Sequence, residues 1–165
     1  MQRRTLVRTA LAAMAVTAFA MTVVVSTTAG AAPPRAEHCV LRVVGQRPTG
    51  ELETAPIECA STRGAALERS GATAAADVPI GYHYDGFDLT GDSVTVVGGS
   101  CIGGWLNLPA SWINRISSTL HGTGCPYIRH YDNYNLVSPS QLTVYPGGNM
   151  APSMNNRTNS IQYLP

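Results

Sequence analysis

The amino-acid sequence predicts an all-β sandwich over residues 79–165, preceded by a small hairpin-plus-helix segment. One observation is a series of short apolar and β-branched runs separated by clusters of Gly, Asn, Asp and Ser, with no sustained helical period. The other is a motif that occurs twice in the same order. Together they favour several short strands arranged as two related units.

The repeated motif has three blocks in each copy. These are a His-Tyr-Asp tripeptide, a strand-like tripeptide and a block of the form N-x-x-x-S-x-x-N-R-x-x-S. They lie at residues 83–85, 94–96 and 107–118 in the first copy, and at residues 130–132, 142–144 and 149–160 in the second. A short internal repeat of β character predicts paired supersecondary units that bury one face against each other.

The first thirty-two residues have the layout of a secretory signal peptide. Arg3, Arg4 and Arg8 precede an apolar run at residues 9–25, and small residues follow at 29–32. The apolar run is short for a membrane span and is interrupted by Thr. We therefore expect residues 1–32 to be removed, leaving a secreted, extracellular protein with no membrane segment.

Four cysteines lie beyond the predicted signal peptide: Cys39, Cys59, Cys101 and Cys125. An even number in an exported protein predicts disulfides, and four cysteines allow three pairings. Joining Cys39 to Cys59 and Cys101 to Cys125 is the most economical, because each bond then stays within one unit. Each would close a loop of about twenty residues and contribute roughly 3 kcal/mol.

Residues 33–78 form a separate segment in this interpretation, stapled by Cys39 and Cys59. A strand at 39–44 and an edge strand at 51–59 flank a turn. A short helix capped by Ser61 or Thr62 follows, and residues 71–77 read as a linker. So small a segment has little core of its own, so it either leans on the repeats or stays mobile.

The two repeats resemble the two Greek-key motifs of a βγ-crystallin domain. That motif has an aromatic residue, a large apolar residue five positions later and a glycine two beyond it. Tyr84, Leu89 and Gly91 fit this spacing in the first copy. In the second copy Ser138 replaces the glycine, so we expect the second corner to be built differently.

Microbial members of that family carry a calcium signature, which residues 113–118 and 155–160 each match with one departure. Calcium takes six to eight oxygen ligands, and Asn, Ser and Asp supply oxygen. The resemblance implies clamp ligands with one aspartate near each loop: Asn114, Ser117, Asn156, Asn159, Asp85 and Asp132. With few carboxylates, affinity is expected in the extracellular range of about 10⁻⁴ M. The same Asn and Ser residues would also satisfy turn backbone without any ion.

No catalytic arrangement emerges from the sequence, and we predict a protein that is not an enzyme. Ser100 lacks the second glycine of a nucleophile elbow. His83 and His130 occupy equivalent repeat positions, which favours a shared structural role, as it does for Trp112 and Met154. The chain beyond residue 32 has no lysine, so nucleic acid binding is also not expected.

The sequence therefore predicts a secreted binding protein with calcium ions as the leading ligand. The alternative is an extracellular proteinase inhibitor or antimicrobial toxin on the same fold. Such an inhibitor needs a rigid exposed loop, and residues 98–105, which include Cys101, are the best candidate. A structural protein that docks on a cell-wall component is the third hypothesis. The sequence names no target protease.

Overall fold

The computed structural model describes residues 37–165, so the predicted signal peptide lies outside the described residues. Within that range the chain contains eleven strands, one short α-helix and one 3-10 turn at Phe87–Leu89. The strands are β1 (His38–Gln46), β2 (Leu52–Thr54), β3 (Glu58–Ala60), β4 (Val78–Tyr84), β5 (Ser93–Gly98), β6 (Gly104–Asn107), β7 (Ser118–His121), β8 (Tyr127–Tyr131), β9 (Ser140–Val144), β10 (Gly147–Asn149) and β11 (Ser160–Leu164). The helix is α1 (Arg63–Arg69).

The strands form two sheets, which confirms the predicted all-β class. The larger sheet has the order β10-β7-β4-β5-β1-β2, with β3 also paired to β1. The smaller sheet has the order β6-β11-β8-β9. Across residues 37–165 no helix combines the length and the hydropathy that a membrane crossing needs.

The main core lies between the two sheets. Val94 and Val96 contribute from the larger sheet, and Ile128 and Ile161 from the smaller one. Trp112, from the loop before β7, is 1% exposed and belongs to the same cluster. Met154, its equivalent in the second repeat, is also buried, as the sequence predicts. Residues from both repeats thus share one interior.

The two repeats exchange one strand each. The first repeat supplies β4, β5 and β7 to the larger sheet but places β6 in the smaller one. The second repeat supplies β8, β9 and β11 to the smaller sheet and places β10 in the larger one. The shared parts of the sheets, β10-β7-β4-β5 and β6-β11-β8-β9, therefore have the same internal order, and the paired units predicted from the repeat are present.

The register of these strands corrects the sequence alignment of the second block. Tyr84 pairs with Ser93, and Tyr131 pairs with Ser140, so β5 and β9 correspond without a gap. Leu142 is then the equivalent of Thr95, and matching residues 94–96 with 142–144 was wrong by one position. The error matters because a shift of one residue in a strand moves every side chain to the other face.

The N-terminal segment joins the larger sheet. Strand β1 pairs in parallel with β5 and antiparallel with β2 and β3. One disulfide joins Cys39 to Cys59, and the other joins Cys101 to Cys125, which are the pairings that the sequence favours. Two disulfides are typical of proteins that fold in an oxidising compartment.

Helix α1 is capped at its N-terminus by Thr62, whose side chain accepts a hydrogen bond from the Ala65 N–H at 3.2 Å. It packs Ala66 against Val40 and Val97, forming a second small core on the outer face of the larger sheet. The segment thus covers both the edge and the outer face of β5.

Candidate cation site between the two repeats

The two clamp loops, residues 113–118 and 155–160, bind each other through a reciprocal pair of backbone hydrogen bonds. The Asn114 N–H donates to the Thr158 carbonyl at 2.9 Å, and the Asn156 N–H donates to the Ile116 carbonyl at 3.0 Å. Asn114 has φ 56° and Asn156 has φ 55°. Asparagine tolerates this left-handed conformation better than most residues, which explains its presence at both positions.

Ser117 and Asn156 are two predicted ligands whose side chains the structure brings into direct contact. The Ser117 hydroxyl donates to Asn156 Oδ1 at 2.9 Å. The Ser117 N–H also donates to the Tyr84 carbonyl at 2.8 Å, which ties this loop to the end of β4. The side-chain oxygens of Ser117 and Asn156 therefore satisfy each other within the protein.

Asn159, the equivalent of Ser117 in the second clamp loop, makes different side-chain contacts. The Asn159 N–H donates to the Tyr131 carbonyl at 2.8 Å, and its side-chain amide donates to the Asp132 carbonyl. Its own Oδ1 is buried and has no hydrogen-bond partner within residues 37–165. The same is true of Asn155 Oδ1 and Thr158 Oγ1. Buried oxygens without partners are rare, and a hard cation would satisfy them.

The two predicted aspartates lie at the corners but face arginines. Asp85 Oδ2 is 2.8 Å from Arg115 Nη2, and Asp85 Oδ1 accepts from the Asp92 N–H at 2.8 Å. Arg115 Nη2 is also 2.8 Å from Asp92 Oδ2. Burial lowers the pKa of Arg115, but its hydrogen bonds and charge contacts with both aspartates raise the pKa above its ordinary value overall.

Asp132 pairs with Arg157 in the same way in the second repeat. Both guanidinium groups also donate to a carbonyl four residues earlier, Ser111 and Ser153. Sequence reasoning placed the aspartates at the corners but missed their arginine partners. The signal was available, because the Asn-Arg dipeptide is part of the repeated block.

The Asn that opens each long block has a structural role. Asn149 Oδ1 accepts from the Asp88 N–H at 2.7 Å, and Asn107 Oδ1 accepts from the Asn135 N–H at 2.9 Å. The serine that ends each long block binds the next backbone N–H of the same corner. The Ser118 hydroxyl accepts from the Leu89 N–H, and the Ser160 hydroxyl accepts from the Leu136 N–H. These four side chains therefore serve as hydrogen-bond partners of the corner backbone.

These contacts hold two corners of matching shape. Asp88 and Leu89 have φ of 54° and 62°, and Asn135 and Leu136 have φ of 58° and 61°. The second corner was expected to differ because Ser138 replaces a glycine. It differs only after this shared pair of residues, since Gly91 has φ 81° while Ser138 is not among the residues with positive φ.

A pair of buried histidines lies in the core between the repeats. The rings of His83 and His130 meet edge to face, with their centroids 5.3 Å apart. His83 Nε2 is 2.9 Å from the Tyr163 hydroxyl and its Nδ1 is 2.9 Å from Thr119 Oγ1. Neither ring nitrogen of His130 has a partner within residues 37–165.

Both histidines are held neutral. Burial lowers the pKa of His83 well below its ordinary value, with smaller contributions from His130 and His121. Burial lowers the pKa of His130 to about 3. Neutral rings in an apolar core fit the structural role predicted for this pair.

Within residues 37–165, one group of three His, Cys, Asp or Glu side chains lies close enough to share an ion, and it is away from the clamp loops: Glu37, Cys39 and Cys59. Both cysteines are in a disulfide, so they are not thiolate ligands.

The segment at residues 98–105 is exposed at Gly99, Ser100 and Ile102 and is anchored between two strands. The Cys101–Cys125 disulfide fixes its middle, and the neighbouring Ile102 is 60% exposed. A largely apolar cavity of about 200 Å³ lies beside it, with Ile80 and Tyr163 in its wall.

No family model, curated protein or solved structure matches this chain.

Proposed function

We propose that the protein is a secreted βγ-crystallin-like binding protein that holds calcium weakly between its two clamp loops. The resemblance supplies the ligand type, and the strand exchange between the repeats is compatible with that family's Greek-key sandwich. An ion shared by both clamp loops would join the two repeats and stabilise the protein outside the cell.

The observation that carries this proposal is the set of buried oxygens without partners in the second clamp loop. Asn159 Oδ1 is the predicted ligand among them, and Asn155 and Thr158 belong to the same loop. Asn and Thr oxygens are hard, neutral ligands of the kind that calcium accepts. In the first half, the contact between Ser117 and Asn156 offers two more oxygens of the same type.

The charge around the clamps argues for low affinity. Both oxygens of Asp85 are engaged by other groups, and Asp132 pairs with Arg157. The side-chain oxygens of Asn155, Thr158 and Asn159 are then the ligands left without partners within residues 37–165, and they bring no negative charge. An affinity of about 10⁻⁴ M or weaker is expected for so few carboxylates.

Calorimetric titration with calcium, combined with thermal melts with and without a chelator, tests the proposal. Bound calcium should raise the melting temperature by mass action at millimolar concentration. Asn159→Asp, which adds a carboxylate to the second clamp loop, should tighten binding about tenfold. Thr54→Asp adds the same charge on the exposed end of β2 and should leave the affinity unchanged. A melting temperature that is unchanged by millimolar calcium would reject calcium binding.

Inhibition of an extracellular proteinase is the second candidate function, and the exposure of Ile102 beside a disulfide favours it. A side chain held out by a covalently anchored loop enters a protease cleft at low entropic cost. Stoichiometric assays with a panel of extracellular proteases test this directly. Ile102→Asp should abolish inhibition, whereas Val44→Asp, at a similarly exposed position on β1, should not. Activity of every protease unchanged by the wild type would end this alternative.

A further inference from the structure

The outer edges of β5 and β9 are equivalent in the two repeats, but one of them is covered. β5 bonds in parallel to β1, with Cys39 opposite Val94 and Leu41 opposite Val96. β9 is the last strand of the smaller sheet, and no strand within residues 37–165 pairs with its outer side. In the first repeat, therefore, this edge is covered by another extended strand.

The outer faces of the same two strands differ in the same way. Val97 is completely buried on β5, where it packs with Val40 and Ala66 beneath α1. Its equivalent on β9 is Val144, which is 54% exposed, and Leu142 on the same face is also exposed. The second repeat thus presents an apolar surface at the place where the first repeat has a cover.

The backbone of β9 has free hydrogen-bonding groups along this edge. The Tyr145 N–H donates to the Pro126 carbonyl and the Asp132 N–H donates to the Pro139 carbonyl, both at 2.9 Å. Odd-numbered positions therefore face β8, and the alternation of an antiparallel strand turns the even-numbered positions outward. The outward groups belong to Ser140, Leu142 and Val144.

Nothing in the sequence of β9 protects the edge. Its residues, Ser-Gln-Leu-Thr-Val, carry no charge, and the nearest prolines, Pro139 and Pro146, stand outside the strand. Soluble proteins usually place charges, prolines or bulges on an exposed edge to prevent strand pairing. An uncharged edge with exposed Leu and Val is the pattern expected of a pairing surface.

We propose that β9 pairs with β9 of a second copy of this chain, antiparallel about a two-fold axis at Leu142. Leu142 would face Leu142 of the second copy, and Ser140 would face Val144 of the second copy. All the outward groups would then be used, in about six backbone hydrogen bonds. The two smaller sheets would become one eight-stranded sheet, and the strand is its own complement as an isologous interface requires.

Charge does not oppose this arrangement. The nearest cation on the outer face is Arg129, which lies opposite Leu142 on β8. The two copies of Arg129 would be three strand spacings apart, about 14 Å. That distance exceeds the screening length of about 8 Å at physiological salt. The exposed ring of Tyr127, opposite Val144, would extend the apolar surface in each copy.

Sedimentation equilibrium on the wild-type protein tests the proposal. The average mass should rise toward twice the monomer mass as the concentration increases to about 100 μM. Hydrogen exchange supplies the register. The amides of Leu142 and Val144 should become protected as concentration rises, whereas the amide of Thr143, which faces β8, should be equally protected at all concentrations. A protein that stays monomeric at the highest concentration would overturn the proposal.

Two variants separate this edge from other surfaces. Leu142→Pro removes an outward N–H and should weaken association at least tenfold. Leu142→Lys, which leaves the backbone intact, should do the same by bringing two charges together. Val44→Lys adds an equal charge at an exposed residue of β1 and should dimerise like the wild type. Dimers that persist in Leu142→Lys, or that vanish equally in Val44→Lys, would place the contact elsewhere and contradict the proposal.

Discussion

The first and second repeats have matching backbones but different side-chain environments. Their corners share φ angles and reciprocal Asn contacts, and their clamp loops exchange equivalent backbone bonds. In the first repeat the edge of β5 is covered and Ser117 has a partner. In the second repeat the edge of β9 is open, and Asn159 Oδ1 and both nitrogens of His130 lack partners within residues 37–165.

The comparison separates what maintains the fold from what is available for binding. Groups that are satisfied in both repeats, such as the Asn107 and Asn149 side chains, maintain the shared backbone. Groups that are satisfied in one repeat and free in the other are not needed for that backbone. The unpaired groups of the second repeat are therefore where a ligand or a second chain has most to contribute.

The largest expected effect is a loss of folding stability at acidic pH, caused by the two buried histidines. An unfolded histidine binds a proton below pH 6.5, whereas burial holds the folded pKa of His130 at about 3. Stability is therefore full at neutral pH and is lost as the pH falls below 6.5. His130 alone should cost about 3 kcal/mol between pH 7 and pH 4, and His83 adds a loss of the same sign.

Urea unfolding at pH 7 and pH 4 measures this loss, and the two histidines should respond differently to replacement. His130→Leu removes a ring without polar partners, so it should be tolerated at pH 7 and should reduce the acid sensitivity. His83→Leu removes the partner of the Tyr163 hydroxyl and one of the two partners of the Thr119 hydroxyl, and it should destabilise the protein by about 1–3 kcal/mol at pH 7. Equal stability of the wild type at both pH values would contradict the assignment of neutral rings.

A second comparison uses the equivalent valines of β5 and β9. Val97→Ala removes buried methyl groups from the contact with Val40 and Ala66 and should cost about 2 kcal/mol. Val144→Ala removes side-chain atoms that are largely exposed and should change the monomer's stability by less than about 0.5 kcal/mol. Urea midpoints at a concentration too low for association measure both. Equal costs would mean that the N-terminal segment does not cover the first repeat as described.

The sequence predicted which segments form strands better than it predicted which strands pair with each other. The class, the repeat and the buried Trp112 follow from local pattern and repetition, and the favoured disulfide pairing from keeping each bond within one unit. The parallel pairing of β1 with β5 does not, because a strand's partner is set by long-range packing. A hint existed: Cys39, Val40 and Leu41 are consecutive apolar residues, and all three are buried, which is typical of a central strand rather than a hairpin edge.

The candidate site was also predicted in part. The repeated blocks located both clamp loops, and the structure joins them through Asn114 and Asn156. The one-residue error in aligning β9 had a physical origin, since Val-Thr-Val and Leu-Thr-Val look alike although Thr95 points outward and Thr143 inward. The sequence shows that Asn159 replaces the serine of the first clamp loop, but the absence of a partner for its Oδ1 within residues 37–165 depends on the surrounding fold and could not have been foreseen.

The smallest expected difference lies between the two clamp arginines. Arg115 bonds to both Asp85 and Asp92, and its guanidinium lies 4.6 Å from the centroid of the Trp112 ring. Arg157 bonds to Asp132 and its side chain is more exposed, at 52% against 33%. Exposed ion pairs contribute about 0–1 kcal/mol, whereas a partly buried pair that also stacks on an aromatic ring contributes more.

Arg115→Met should therefore cost about 1–2 kcal/mol in urea unfolding, and Arg157→Met less than about 0.5 kcal/mol. Methionine keeps most of the length of the side chain, so each change reports on the charge and its hydrogen bonds rather than on lost packing. Raising the salt concentration should reduce the smaller effect further, because the Arg157 pair is the more exposed to screening. If Arg157→Met proved the more damaging, the second clamp loop would depend on its ion pair for shape, and the contrast between a self-sufficient first clamp and an unsatisfied second one would have to be reversed.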